Sequence, residues 1–306
     1  RPRAGNRWYG AKKFVRRHRL GGAIAAGVFA LVAVFAAVTA IQSVRIRNQA
    51  ARIGVERDRA EEVSRFLAGL FHAADPFGGA GAGPTAREML DSGAARIDRE
   101  LADQPGLRAQ MMLEMARAYF GLGLRDRARR FGEVSLAIRR RMPSSTPLEI
   151  AQSLDLLGLI RLEQGEIEGA ERAYRESLAL RLRNQTSQRD LTGTLNGLAA
   201  VLRAAGRFAS ADSVSRQAVA LAERSPATPP LDLAQSVKGL ADAVVERGDY
   251  AQAARLYRRA LDLQRQAFPE HHAEVAGTTL DLAAALGAAG DAVADSLFQY
   301  GLALQR

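Results

Sequence analysis

A repeat of 41 or 42 residues constrains the fold of this 306-residue chain more than any other feature of its sequence. Five segments within residues 107–306 share one pattern of small and apolar residues. One small residue in each segment sets the register: Ala128, Ala170, Ala211, Ala253 and Ala294. A fixed period of this length is typical of stacked supersecondary units, each of which buries its apolar face against its neighbours.

Each repeat unit is predicted to consist of two helices joined by a tight turn. A glycine, which accommodates the backbone beyond a helix end, marks the turn in every unit: Gly123, Gly165, Gly206, Gly248 and Gly290. Seven residues before each glycine lies a small residue that lets the two helices approach closely: Ala116, Gly158, Ala199, Ala241 and Ala283. Alanine, leucine, arginine and glutamate dominate the sequence, and because these residues favour helices we expect an all-α fold.

These positions resemble the tetratricopeptide repeat (TPR), in its long form of about 42 residues. The resemblance implies an α-solenoid of about five helix-turn-helix repeats, which we place at residues 85–306. Two departures from the family pattern are present. The tryptophan near the start of the first helix is missing, and the fifth unit is one residue short between Gly290 and Ala294.

By this resemblance, the first helices of the units line a concave groove that binds a peptide or a protein segment. The polar residues expected on this groove are Gln110, Arg117, Gln152, Asp155, Asn196, Arg203, Gln235, Lys238 and Asp242. Among them, Arg117, Arg203 and Lys238 are predicted to hold carboxylates of an extended ligand. The alternative interpretation is that these side chains form an ordinary solvated face.

The N-terminal region is predicted to anchor the chain in a membrane. Residues 20–41 carry no charge, and 22 helical residues match the hydrocarbon thickness of about 30 Å. The basic juxtamembrane segment 1–19 holds eight Lys/Arg and no acid, which favours a cytoplasmic N-terminus. We therefore expect a single-pass protein of the inner (plasma) membrane with extracytoplasmic repeats. A secretory signal peptide is the alternative, although its apolar core normally spans about 7–15 residues.

Residues 42–74 are predicted to form a helical stalk. Its apolar stripe, from Val63 to Phe71, indicates either packing on the following domain or a coiled-coil homodimer contact. A Gly/Pro-rich loop follows at 75–84. Thr85 and Glu88 then have the spacing of a capping box, which opens the next helix.

The whole chain resembles the C-terminal half of bacterial transmembrane serine/threonine protein kinases. The resemblance rests on the basic stretch 13–19, the apolar segment 20–41, the charged stalk and the long-form repeats. It implies a sensor or scaffold half whose catalytic domain would precede Arg1. No kinase motif is present in this sequence, so the chain itself is not expected to be an enzyme. A stand-alone membrane-anchored TPR adaptor remains the alternative.

Charge and composition argue against other classes of ligand. The net charge of +10 lies mostly in the N-terminal segment, so the repeat region is nearly neutral and no nucleic-acid partner is expected. The chain has no cysteine, and the adjacent His271 and His272 lack a third ligand, so no metal site is expected. No cofactor is expected either.

Overall fold

A computed structural model describes residues 86–304 apart from 185, 226, 227, 270 and 271, together with three isolated positions near the N-terminus. The chain divides into two units, residues 1–69 and 70–306. The described residues of the second unit form eleven α-helices and no strand. The helices are α1 (Ala86–Glu100), α2 (Pro105–Gly121), α3 (Arg125–Arg141), α4 (Pro147–Glu163), α5 (Ile167–Arg183), α6 (Gln188–Ala204), α7 (Phe208–Glu223), α8 (Pro230–Val245), α9 (Tyr250–Gln264), α10 (Ala273–Ala288) and α11 (Ala294–Leu304).

Five helical hairpins, α2/α3 to α10/α11, correspond to the five repeat units, numbered here 1 to 5. The five turn glycines all have a positive φ, between 71° and 80°, which confirms the predicted turns. In unit 2 the N–H of Gly165 donates to the Leu162 carbonyl, and the N–H of Glu166 donates to the Arg161 carbonyl. These bonds satisfy carbonyls at the end of α4 and reverse the chain into α5.

The core lies where the repeat pattern predicts it. The aligned alanines of units 1 to 4 are completely buried, and Ala294 of unit 5 is partly buried. The small residue of each first helix is also buried. In unit 2 a Cβ added at Gly158 would lie 2.7 Å from the ring of Tyr174, so this position has no room for a side chain. Small residues therefore set the spacing between the helices of a hairpin.

Helix α1 continues the repeat register toward the N-terminus. Its buried residues Gly93, Ala94 and Ile97 lie 42 positions before Ser135, Leu136 and Arg139, which are buried in α3. Because α1 also packs against α2, it takes the place that a second helix holds in front of each later unit.

The localisation predicted from the sequence is contradicted. Within the described part of the chain, no helix is long and apolar enough to cross a membrane. The helices given above contain 11 to 17 residues, whereas a span needs about 20 mostly apolar residues. The expectation of a single-pass inner-membrane protein with extracytoplasmic repeats is therefore wrong on this finding.

The other N-terminal predictions concern residues that the structure does not describe. The segments 1–19 and 75–84 lie entirely outside the described residues, as does the apolar stripe of the stalk, on which the homodimer depended. Of the proposed membrane helix 20–41 and stalk 42–74, only residues 35, 39 and 42 are described. The division of the chain into these segments stays a prediction.

Candidate functional site

The first helices of the units form one continuous surface, called here the first-helix face (α2, α4, α6, α8 and α10). Short side chains join neighbouring first helices: Thr194 Oγ1 donates to Asp155 over 3.1 Å, and Asn196 Nδ2 donates to Ser236 Oγ over 2.9 Å. Long side chains join neighbouring second helices, as in the pairs Arg140–Glu176 and Arg259–Glu223, both at 2.6 Å. Cα atoms of α2 and α4, of α4 and α6, and of α6 and α8 come within 8 Å of each other, so neighbouring first helices lie close together and their face is the inner side of the stack.

The structure places all nine predicted groove residues on first helices. Gln110 and Arg117 lie on α2, Gln152 and Asp155 on α4, Asn196 and Arg203 on α6, and Gln235, Lys238 and Asp242 on α8. Arg117, Gln152 and Gln235 are exposed, and the other six are half-buried. That these residues bind a ligand stays a prediction.

All three predicted carboxylate-binding cations already have acidic partners, since Arg117 lies 3.7 Å from Glu114 on its own helix. Lys238 Nζ lies 2.8 Å from Asp281 and 3.6 Å from Asp242, and Arg203 lies 3.5 Å from Asp242. The phenol of Tyr257 donates to Asp242 over 2.7 Å. Burial lowers the pKa of Lys238, but Asp242 and Asp281 outweigh this effect and raise it above its usual value. Lys238 is thus fully charged at neutral pH, and this network, which joins α6, α8 and α10, neutralises itself.

Asp155 ties three helices together. It accepts hydrogen bonds from Arg181 on α5, at 2.6 Å, and from Thr194 on α6. Burial raises the pKa of the Asp155 carboxyl, while hydrogen bonds from Ser177, Arg181 and Thr194 oppose the increase. Sequence reasoning missed Arg181, which is 4% exposed, although the equally buried Arg139 stands 42 residues before it. The signal is weak because Ala222 and Gln264 occupy the same position in units 3 and 4.

One position of the first-helix face is occupied by an uncharged residue in all five units. Gln110, Gln152 and Gln235 stand six residues before the small residue of units 1, 2 and 4, and glycines occupy the same place in units 3 and 5. At Gly193 and Gly277 an added Cβ would meet nothing within 4 Å, so the surface is open there. We call these five residues the amide row. Each glutamine amide offers both hydrogen-bond donors and an acceptor, which is what a peptide backbone requires.

Comparison with known proteins identifies the class of fold first. The structure is similar at a TM-score of 0.62 to BtubC (BKLC) from P. vanneervenii, with 18% identity over 72% of this chain and 92% of that one. Nearly identical TPR-like repeats from Podosopora anserina match with a TM-score of 0.53 and 21% identity, over 66% and 96% of the two chains. A Rap protein complexed with competence and sporulation factor matches with a TM-score of 0.61 and 11% identity, over 71% and 58%. Similarity at these identities establishes an α-solenoid fold.

The family models then name the repeat. Tetratricopeptide-repeat models match residues 108–142 and 190–266, so the chain contains TPR units, as its sequence pattern predicted. No curated protein matches the chain. These matches give no support to the predicted association with a protein kinase.

His272, the one of the two adjacent histidines that the structure describes, has a structural role. Its Nδ1 accepts a hydrogen bond from the N–H of Glu274 at the start of α10. Its ring stacks on Phe268 with a centroid distance of 3.7 Å. Among the described residues, no group of three or more His, Cys, Asp or Glu side chains could hold a metal ion.

Proposed function

We propose that this chain is a protein-interaction module that binds an extended peptide segment of a partner along the first-helix face. The observation that carries this proposal is the amide row. At this position Gln152 and Gln235 are exposed and Gln110 is half-buried, and Gly193 and Gly277 leave space between and beyond them. Side-chain amides would bond to the peptide backbone, so binding would depend little on the sequence of the peptide.

The dimensions of the stack set the length of the ligand. Packed helices lie about 8–10 Å apart, and an extended peptide advances about 3.3 Å per residue. One repeat unit therefore corresponds to about three peptide residues. The five first helices have four such spacings between them, so the face would accommodate a segment of about 12 residues.

The charges of the face favour a ligand without a strong net charge. Arg203 and Lys238 already pair with Asp242 and Asp281, so an acidic ligand would have to compete with existing partners. Exchanging one carboxylate for another brings little net free energy. Peptide binding should therefore depend only weakly on salt concentration. The solved Rap structure contains a bound factor, which supports a comparable use of this fold here.

Binding can be tested with the full chain and a random peptide library. The double variant Gln152→Ala/Gln235→Ala should bind selected peptides about 30-fold more weakly, because each lost hydrogen bond contributes about 1 kcal/mol. The matched control is Gln217→Ala/Gln299→Ala, which removes exposed glutamines from the second helices α7 and α11. The control should bind as the wild type does. Selection of no peptide, or unchanged affinity of the first double variant, would contradict the proposal.

A second proposal is that the module is the interaction half of a bacterial serine/threonine kinase. Its support is the resemblance of residues 13–76 and of the repeats to that family. An antibody against the repeats distinguishes the two possibilities in cell extracts. A band at about twice the 32.9 kDa of this chain, or larger, would support the kinase. A band at the size of the chain would instead favour a free-standing adaptor.

A further inference from the structure

The junction between α1 and unit 1 contains a cavity of about 360 Å³, lined by residues of α1, α2 and α3. The repeat register explains why it exists. In every later unit the second helix carries a large apolar residue at one position: Leu136, Leu178, Val219, Leu261 and Leu302. Helix α1 has Ala94 there. The space that leucine or valine fills at the other junctions is therefore left open.

The residue that faces this position also differs. The following first helix normally supplies an apolar side chain: Ile150, Leu191, Leu233 or Val275. Leu136 and Ile150 belong to one apolar cluster, and Leu261 packs with Val275 in another. At the first junction α2 supplies Arg108 instead. The Arg108 guanidinium thus takes the place of one of the two apolar side chains that contact each other at the later junctions.

A third difference opens the cavity toward solvent. The ion pairs Arg140–Glu176 and Glu223–Arg259 occupy equivalent places and bridge second helices at two of the four later junctions. The corresponding residues of the first junction are Asp98 and Val134, which cannot form such a pair. Asp98 accepts instead from Arg108 across 2.7 Å.

The lining combines an apolar floor with an excess of positive charge. Met112, Phe131 and Val134 supply the floor beside Ala94. The charged residues of the lining are Asp91, Asp98, Arg108, Arg127 and Arg130. Arg127 and the Tyr119 phenol both donate to Asp91. Within the part of the chain that the structure describes, Arg130 has no acidic partner, so one positive charge is left over.

We propose that this cavity binds an apolar monocarboxylate. The hydrocarbon body of the ligand would occupy the space left by Ala94, and its carboxylate would pair with Arg130 at the rim. Such a carboxylate belongs either to a free acid or to the C-terminal residue of a peptide. The site is lined by α1, α2 and α3 and includes no residue of the amide row.

The test is a calorimetric or NMR titration of the full chain with 4-phenylbutyrate and with N-acetyl-phenylalanine, each compared with its amide. Saturable binding of an acid and loss of about tenfold in affinity for its amide support the proposal, since only the charged carboxylate can form an ion pair with Arg130. Tighter binding of 4-phenylbutyrate would indicate that the natural ligand is a free acid. Tighter binding of N-acetyl-phenylalanine would indicate the C-terminal residue of a peptide. No binding of either acid to the wild type would refute the proposal.

Two variants and a matched control localise the binding. Ala94→Leu restores the residue type of the later units, so it should abolish binding while the thermal midpoint stays the same or rises. Arg130→Gln should weaken binding about tenfold. The control, Arg172→Gln, changes the equivalent arginine of unit 2, which is 76% exposed, and should bind as the wild type does. Wild-type affinity in Ala94→Leu, or equal losses in Arg130→Gln and the control, would overturn the assignment.

Discussion

Two glycines one turn apart on α6 should respond in opposite ways to replacement by alanine. An added Cβ at Gly193 meets nothing within 4 Å. An added Cβ at Gly197 would overlap the ring of Tyr174, lying 2.7 Å from its phenol oxygen. The ring cannot retreat toward α4, because Gly158 is packed against its other side.

The expected free energies follow from these two environments. Glycine inside a helix is less stable than alanine by about 0.5–1 kcal/mol, so Gly193→Ala should raise the free energy of unfolding by that amount. Gly197→Ala has the same backbone gain, but it overpacks the α4–α5–α6 junction at a cost of about 1–3 kcal/mol. Its net effect is a loss of up to about 2 kcal/mol, and the two variants should differ by about 1–3 kcal/mol.

Urea unfolding of the full chain, followed by circular dichroism, measures this difference. A Tyr174→Leu background provides the internal control, because a smaller side chain should remove most of the penalty at Gly197 and none of the gain at Gly193. If both alanines changed the midpoint equally, or if the penalty at Gly197 persisted without the tyrosine, the packing of Tyr174 between α4 and α6 would be refuted.

Two further predictions concern buried polar groups. Burial raises the pKa of the Tyr174 and Tyr257 phenols, so their contribution to stability is complete below about pH 10 and is lost above it, as the unfolded chain releases protons. Urea unfolding between pH 9 and pH 11.5 should show a loss of about 1.4 kcal/mol per tyrosine per pH unit above pH 10, and Tyr174→Phe should reduce the total loss by one such contribution. Arg181→Ala should cost about 3–5 kcal/mol, since it leaves Asp155 buried without its cation, whereas Arg140→Ala at the surface should cost under about 1 kcal/mol. Similar losses in the two arginine variants would contradict this assignment.

The helical hairpins and their core could be predicted because each depends on a local requirement that recurs. A turn with positive φ needs glycine, and a close helix contact needs a small residue. The equivalents of Gly165 and Ala170 therefore recur in every unit, five residues apart in units 1 to 4 and four apart in unit 5. The same register reaches back to Ala86, which lies 42 residues before Ala128. It was missed because Gly93 and Ala94 replace the more typical Ser135 and Leu136.

The partners of the groove residues could not be predicted, because they depend on distances between units. Lys238 meets Asp281 only because α8 and α10 are neighbours on the inner side of the stack. Asp155 was expected to face a ligand, yet its carboxylate accepts from Arg181 and Thr194 and holds α4, α5 and α6 together. Sequence alone identified the face, whereas the structure decides which side chains on it are already paired.

Residues that differ in type from their counterparts in the other units indicate where packing between helices is less complete. Ala94, Arg108 and Val134 contact one cavity, and each replaces a residue type that closes an equivalent junction. A leucine at the position of Ala94 would bury apolar surface at this junction and contribute about 1.5–3 kcal/mol, which the alanine forgoes. A ligand that fills the space restores the apolar contacts, and it stabilises the folded chain in proportion to the logarithm of its concentration. The stability of the first junction would therefore depend on its ligand, while the later junctions are stable without one.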